Sequence, residues 1–341
     1  MSLIRPVRLA AGCVLLTACG PASSAGSGPL VAADEVREIV SVLAADSLEG
    51  RETGTPGSAR ASRFLADRMR RYGLEPAGDS GFFQRVAYVA VPGAEGETLR
   101  LAGPDSSATG RRVVDYNLVG LIRGADPALR DEAVVLGAHF DHIGIGAPVE
   151  GDSINNGADD DASGVATVLA AARSLAKDPP RRTVVVLLTS GEEFGVLGTG
   201  WYLERPAAPL ERTVADLQVE MVGRPDTLVG AGKLWLTGYE RSTMGEALSA
   251  AGLAVVADPR PQFRFFERSD NIVFALRGIP AHTLSSYGLH TDYHQPSDEV
   301  ERIDFAHLAG AADIVTRAVR VLADGPRPTW KPGGRPTPPT P

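Results

Sequence analysis

Residues 183–193 read Thr183-Val184-Val185-Val186-Leu187-Leu188-Thr189-Ser190-Gly191-Glu192-Glu193. An unbroken β-branched and apolar run of this kind is what a strand needs when both faces of its sheet are covered. It ends on two adjacent acids, and carboxylates at the mouth of a buried strand are unfavourable unless paired or bound. Strand-like runs recur on either side, at 86–91, 118–122, 133–136, 216–221 and 233–237. Helical periodicity marks 31–45, 58–72, 164–175, 242–251 and 303–322. The alternation predicts an α/β fold, a largely parallel mixed sheet sandwiched between helices. Residues 93–112 read as a polar, turn-rich connector.

The chain has 341 residues, 43% of them hydrophobic and 22% charged, enough for a sizeable core. Its formal net charge is -8, with 34 Lys and Arg against 42 Asp and Glu. No basic patch stands out, so no nucleic-acid partner is expected. Arg5 and Arg8 precede a short apolar stretch, 9–18, too short to span a bilayer but suited to a signal peptide. The segment ends Leu16-Thr17-Ala18-Cys19-Gly20, which resembles a bacterial lipoprotein cleavage box with Cys19 as the lipidation site. A plain secretion signal with an incidental cysteine is the alternative. The expected organisation is a lipoprotein signal peptide (1–18), a flexible tether (19–30), a single globular domain (31–324) and a disordered tail (325–341). The expected location is the bacterial cell envelope, on its periplasmic or extracellular face, with the membrane a partner through the lipid anchor. The two cysteines, Cys13 and Cys19, leave nothing after the leader for a disulfide or a thiolate ligand. Any metal must be held by His, Asp and Glu.

Five segments carry such residues. Ala138-His139-Phe140-Asp141-His142 follows a predicted buried strand, where open α/β sheets bind ligands. Only one of its two histidines need bind a metal. His139 is the better candidate, because Asp141 lies on the same side of an extended chain and can orient its imidazole. Gly157-Ala158-Asp159-Asp160-Asp161-Ala162-Ser163-Gly164 holds three consecutive carboxylates. They read either as a solvated loop with Asp161 capping the next helix, or as the anion shared by two cations. In Ser190-Gly191-Glu192-Glu193 the adjacent side chains diverge, so one can bind metal while the other takes a proton from water. Glu220 sits among apolar neighbours, with Arg224 as a possible partner. His290-Thr291-Asp292-Tyr293-His294-Gln295-Pro296-Ser297-Asp298 offers two histidines, with Asp298 placed to orient the loop or a ligand.

Taken together in this order, the five segments resemble the zinc peptidase family M28, over about residues 47–323. That family includes bacterial leucyl-type aminopeptidases, glutamate carboxypeptidase and glutaminyl cyclase. The resemblance implies two zinc ions bridged by Asp160, one completed by His139 and Glu220, the other by Glu193 and His294. It implies Glu192 as general base, with Asp141 supporting His139 in the catalytic group, and a cis peptide between Asp160 and Asp161. Tyr293 matches a carbonyl-polarising tyrosine of some relatives, and Arg268 is a weaker candidate for substrate contact. Many relatives have Asp where this chain has Glu220. The implied activity is removal of the N-terminal residue of a peptide substrate. Carboxypeptidase and glutaminyl cyclase activity on the same fold are the nearest alternatives. A binding lipoprotein without catalysis is the alternative from another class.

Overall fold

The apolar run at 183–188 forms the strand expected of it, and the sheet is organised around it. The computed structural model describes residue 1 and residues 31–93, 96–103 and 109–337. The leader, Cys19, the tether and residues 338–341 lie outside the described residues. The described fold opens with two amphipathic helices, α1 (Ala33–Leu43) and α2 (Pro56–Arg71). Helix α2 opens on Pro56, and the side chain of Thr55 accepts a hydrogen bond from the Ser58 amide, satisfying a donor that a helix N-terminus leaves free. Strands β1 (Glu75–Pro76), β2 (Phe83–Gly93), β3 (Gly96–Leu101), β4 (Arg111–Ile122) and β5 (Ala133–His139) follow. A small hairpin, β6 (Ile145–Val149) with β7 (Asp152–Ile154), leads to α3 (Gly164–Lys177) and β8 (Thr183–Thr189). Then come α4 (Leu197–Glu204), β9 (Thr213–Val219), β10 (Leu234–Leu236), α5 (Met244–Ala250) and β11 (Val255–Ala257). The chain closes with α6 (Asn271–Leu276), β12 (Ala281–Ser285) and α7 (Phe305–Asp324).

The main sheet runs β11-β10-β12-β9-β5-β8-β4-β2-β3, with β1 beside β4. Its four central strands, β12, β9, β5 and β8, are mutually parallel, and β4, β2 and β3 extend one side antiparallel. Every residue of β5, β8 and β9 is buried, because helices cover both faces. Val184, Val186 and Leu188 pack in one core with α1, α3 and α7. Val185 and Leu187, pointing the other way, pack in a second core with Tyr202 of α4 and Phe274 of α6. The mixed sheet between helices is the expected architecture.

Two expectations are corrected. The connector at 93–112 contains β3, which pairs in register with β2 from Tyr88↔Leu101 to Gly93↔Gly96. Of the β3 side chains only Leu99 is buried, so this edge strand carries little of the alternation that reveals one. The tail, expected to be disordered from Gly325 onward, is placed on the domain in its described part, residues 325–337, despite its Pro and Gly content. Arg327 pairs with Glu132, the Trp330 indole N–H donates to Gly278 O at 2.9 Å, and the Lys331 amide bonds Arg241 O at 2.9 Å.

Candidate metal centre

Parallel neighbours end on the same edge of a sheet, so the segments that follow β5, β8, β9 and β12 meet there. His139 is the last residue of β5, Glu192 and Glu193 follow β8, Glu220 follows β9, and His294 lies in the loop after β12. Asp160 comes from the loop between β7 and α3, where its peptide bond to Asp161 is cis.

The two oxygens of Asp160 face different partners. Oδ1 lies 3.2 Å from His139 Nε2, and Oδ2 lies 3.2 Å from His294 Nε2. His294 Nε2 is also 3.2 Å from Glu193 Oε2. Donor atoms converge in three groups among the described residues: a small one of His139, Glu192 and Glu193, and two clusters, His139, Asp160 and Glu220, and His142, Asp160, Glu193 and His294. Asp160 is common to both clusters. The imidazole nitrogens fit a cation. Nε2 of His139 and of His294 are shut off from water, and each faces carboxylate oxygens 3.2 Å away. The carboxylates fit one too. Burial, with Glu220, Glu193 and Asp270 near, pushes Glu192 well up, and burial pushes Glu220 up to about 7. Glu193 behaves otherwise. Burial and Asp160 oppose its ionisation, yet hydrogen bonds from His142 and His294 hold it at about 2. His294 rises to about 10 against burial, because Asp160 and Glu193 favour its cation. So many acids with only imidazoles between them repel one another unless positive charge is shared among them.

The loops are fixed from behind. Asp298 accepts from the amides of Asp159 and Asp160 at 3.0 and 3.1 Å, which is the loop-orienting role open to it in the sequence. Arg224 pairs with Asp292 at 2.6 Å and Asp298 at 3.1 Å rather than with Glu220. Among the described residues Glu220 is thereby left without a Lys or Arg partner. Asp141 stands beside His139, its Oδ1 3.8 Å from Nδ1, but the contact that holds the ring is the Asp141 carbonyl oxygen at 3.1 Å. The Asp141 carboxylate instead accepts from Thr53 Oγ1 at 3.0 Å and from the Glu192 amide at 3.2 Å, tying the two acidic strand ends together. Asp161 accepts from the Gly164 and Met221 amides, both at 3.0 Å, and serves the backbone. His290 bonds Asp159 at 3.0 Å and belongs to neither cluster.

Two residues escaped the sequence reading. Arg51 is fully buried, and its guanidinium donates to Phe140 O at 2.8 Å, Leu43 O and Asn156 O at 2.6 Å, Gly157 O at 3.0 Å and Asp160 O at 3.5 Å. It clamps the loops that carry His139 and Asp160. His142, the second histidine of its segment, enters the cluster of Asp160, Glu193 and His294. Beside Glu220 a cleft of about 420 Å³ is lined by Met221, Trp235, Phe265, Arg268, Tyr287 and Tyr293 among others. The Tyr293 ring stacks on His294 with centroids 3.9 Å apart.

The pattern of peptidase family M28 matches residues 117–319. The chain belongs to that family. Among solved structures it is similar to an aminopeptidase from Aneurinibacillus sp. strain AM-1, with TM-score 0.62, 18% identity, and 89% of this chain and 96% of that one covered. It is also similar to the glutaminyl cyclase of Porphyromonas gingivalis, with TM-score 0.61, 17% identity, and 86% and 99% covered. These likenesses show a shared fold. Among curated sequences it is 26% identical over 242 residues to a probable leucine aminopeptidase 2 of Aspergillus oryzae, covering 69% of this chain and 44% of that protein. It is 36% identical over 130 residues to a vacuolar membrane protease of Lachancea thermotolerans, covering 36% and 12%. The chain thus spans less than half the length of these curated relatives. Among the described residues, no helix is long and apolar enough to cross a membrane.

Proposed function

We propose that this family M28 chain is a co-catalytic two-zinc aminopeptidase that hydrolyses the N-terminal peptide bond of peptides. The observation that carries the reading is the division of Asp160, with one oxygen toward His139 and the other toward His294. One zinc would be held by His139, Asp160 and Glu220, the other by Asp160, Glu193 and His294. Bound zinc supplies Lewis-acid polarisation and makes a water acidic enough to give up a proton near neutral pH. Among the described residues no Lys or Arg side chain pairs with Glu192, and its raised proton affinity suits a group that takes the proton of the attacking water and returns it to the leaving amine. Tyr293 is kept protonated, since burial and the carboxylates of Asp160, Glu193 and Glu220 all raise it. Its hydroxyl is therefore a hydrogen-bond donor for the substrate carbonyl. The substrate side chain enters the cleft of Trp235, Phe265 and Tyr287, with Arg268 also in its wall. Asp141 acts as a positioning residue, steadying His139 and the Glu192 backbone.

The reading also includes attachment to the bacterial envelope through a lipid on Cys19, supported by the Leu16-Thr17-Ala18-Cys19 box. The activity is tested with a panel of aminoacyl chromogenic substrates alongside N-terminally blocked and free peptides. Zinc-dependent release of the first residue from free peptides alone is expected. Trimming from the carboxyl end, or cyclisation of N-terminal Gln without hydrolysis, would overturn it. The anchor is tested by Cys19→Ser, which should move the protein from the membrane fraction to the soluble one. A variant that stays with membranes would overturn it.

A further inference from the structure

His142 faces the same carboxylates as the ligand candidates, but at a different spacing. Donors that share a tetrahedral zinc at about 2.0 Å lie about 3.3 Å from one another. The three contacts of His139 and His294 with Asp160 and Glu193 are each 3.2 Å. His142 Nδ1 lies 2.8 Å from Glu193 Oε1 and 3.9 Å from Asp160 Oδ2. The shorter spacing is that of an N–H donating to a carboxylate. The ring's other nitrogen points the same way. Nε2 of His142 is shut off from water with no partner. A proton on Nδ1 leaves only an acceptor unmet at Nε2, whereas a metal on Nδ1 would leave a buried N–H unmet, the rarer defect. The ring has little room to turn. A side chain added at Gly157, which sits at φ +57°, would lie 2.7 Å from the ring's Cδ2, and the His294 ring meets it edge to face at 5.4 Å.

We propose that His142 is a positioning residue for the second zinc. Its Nδ1–H holds Glu193 Oε1, leaving Oε2 as the oxygen presented to the ion beside His294 and Asp160. The inference rests on the two-zinc reading and adds to it a residue that acts through Glu193 rather than on the metal itself.

The test measures zinc affinity by competition with a chromogenic chelator in the wild-type protein, His142→Asn and His142→Ala. An asparagine amide N–H can take the place of Nδ1–H but is a poor zinc ligand. His142→Ala should weaken one of the two zincs by about 10–100-fold, the effect typical of losing an outer hydrogen bond to a ligand. His142→Asn should recover most of that loss, and the other zinc should be unchanged in both. Equal loss in Asn and Ala variants, or no loss in Ala, overturns the proposal. X-ray absorption of the zinc-loaded wild type needs no variant. About one imidazole per zinc is expected, from His139 and His294 over two ions, and a third imidazole overturns the proposal. A wild type that binds no zinc would instead overturn the two-zinc reading, with His142 not yet at issue.

Discussion

Strands β5 and β8 lie side by side, and their two ends have opposite electrostatics. Where they begin, Glu132 precedes β5 and Arg182 precedes β8. Glu132 accepts from Arg182 at 2.8 Å and from Arg327 at 2.7 Å, and Arg182 also donates to Gly325 O at 2.6 Å. One carboxylate meets two guanidinium groups, and it stays ionised down to about 2 through the Arg327 hydrogen bond and Arg182, against burial. Where the same strands end, His139, Glu192 and Glu193 gather with Asp160 and Glu220, and no Lys or Arg side chain pairs with any of these acids among the described residues. One end is neutralised by the chain itself. The other gathers acids that have only imidazoles beside them among the described residues, an arrangement that suits a bound cation. Charge placement alone therefore distinguishes the two ends, although the strands between them are uniformly apolar.

The contrast can be broken at several points. The largest effect is expected from Asp160→Asn. A bridge serves two ions, so both zincs should be lost and activity with them. Elemental analysis that finds one zinc fully retained would remove the bridging role. Next is Glu192→Gln, which keeps size and hydrogen bonding but cannot accept a proton. Turnover should fall by at least about 10²–10⁴-fold with both zincs and substrate affinity retained. Glu193→Gln should instead lower zinc occupancy, and if the two variants behave the other way round their roles are exchanged.

At the opposite end the readout changes from activity to stability. Glu132→Gln leaves the buried Arg182 without its carboxylate and should destabilise folding by on the order of 3 kcal/mol, with zinc content unaltered. The loss should depend on pH. The folded Glu132 ionises at about 2 and an unfolded glutamate near 4.5, so its contribution is complete above about 4.5 and is lost as pH falls toward 2. Denaturant titrations of wild type and variant should therefore converge in acid. Persistence of the full difference at low pH would mean the ion pair is not its source. The smallest effect belongs to Arg327→Ala. Its side chain is 52% exposed, so about 1 kcal/mol or less is expected in the same titration.

The chemistry-bearing ends were easier to read than the stabilising ones. Glu192 and Glu193 stand out because they close an apolar strand, and Glu220 because its neighbours are apolar; neither setting suits an unbound acid. His139 and His294 gained meaning only beside those acids. His142 sits in the same five residues as His139, but nothing in the spacing tells which of two imidazoles turns toward Glu193. Arg51 was invisible for a different reason. Its partners are backbone carbonyls, which have no sequence signature, and its segment reads only as a break between helices. The same holds for the closing segment 325–337, whose Pro and Gly suggested disorder. There a few placed side chains, Arg327 and Trp330, do what a hydrophobic pattern would have announced. Strand β3 was missed because an edge strand with one buried residue has almost no pattern to show.

Arg51 also bears on how the chain is born. Its carbonyl partners Phe140 and Asn156 lie 89 and 105 residues further along. This guanidinium must stay hydrated until those partners are in place, because a buried cation without acceptors is strongly unfavourable. The first helices can form early, yet the seam that joins them to the metal loops closes only over long separations, which are slow to find. Without the later segments in place, the first helices are therefore not joined to the metal loops through Arg51.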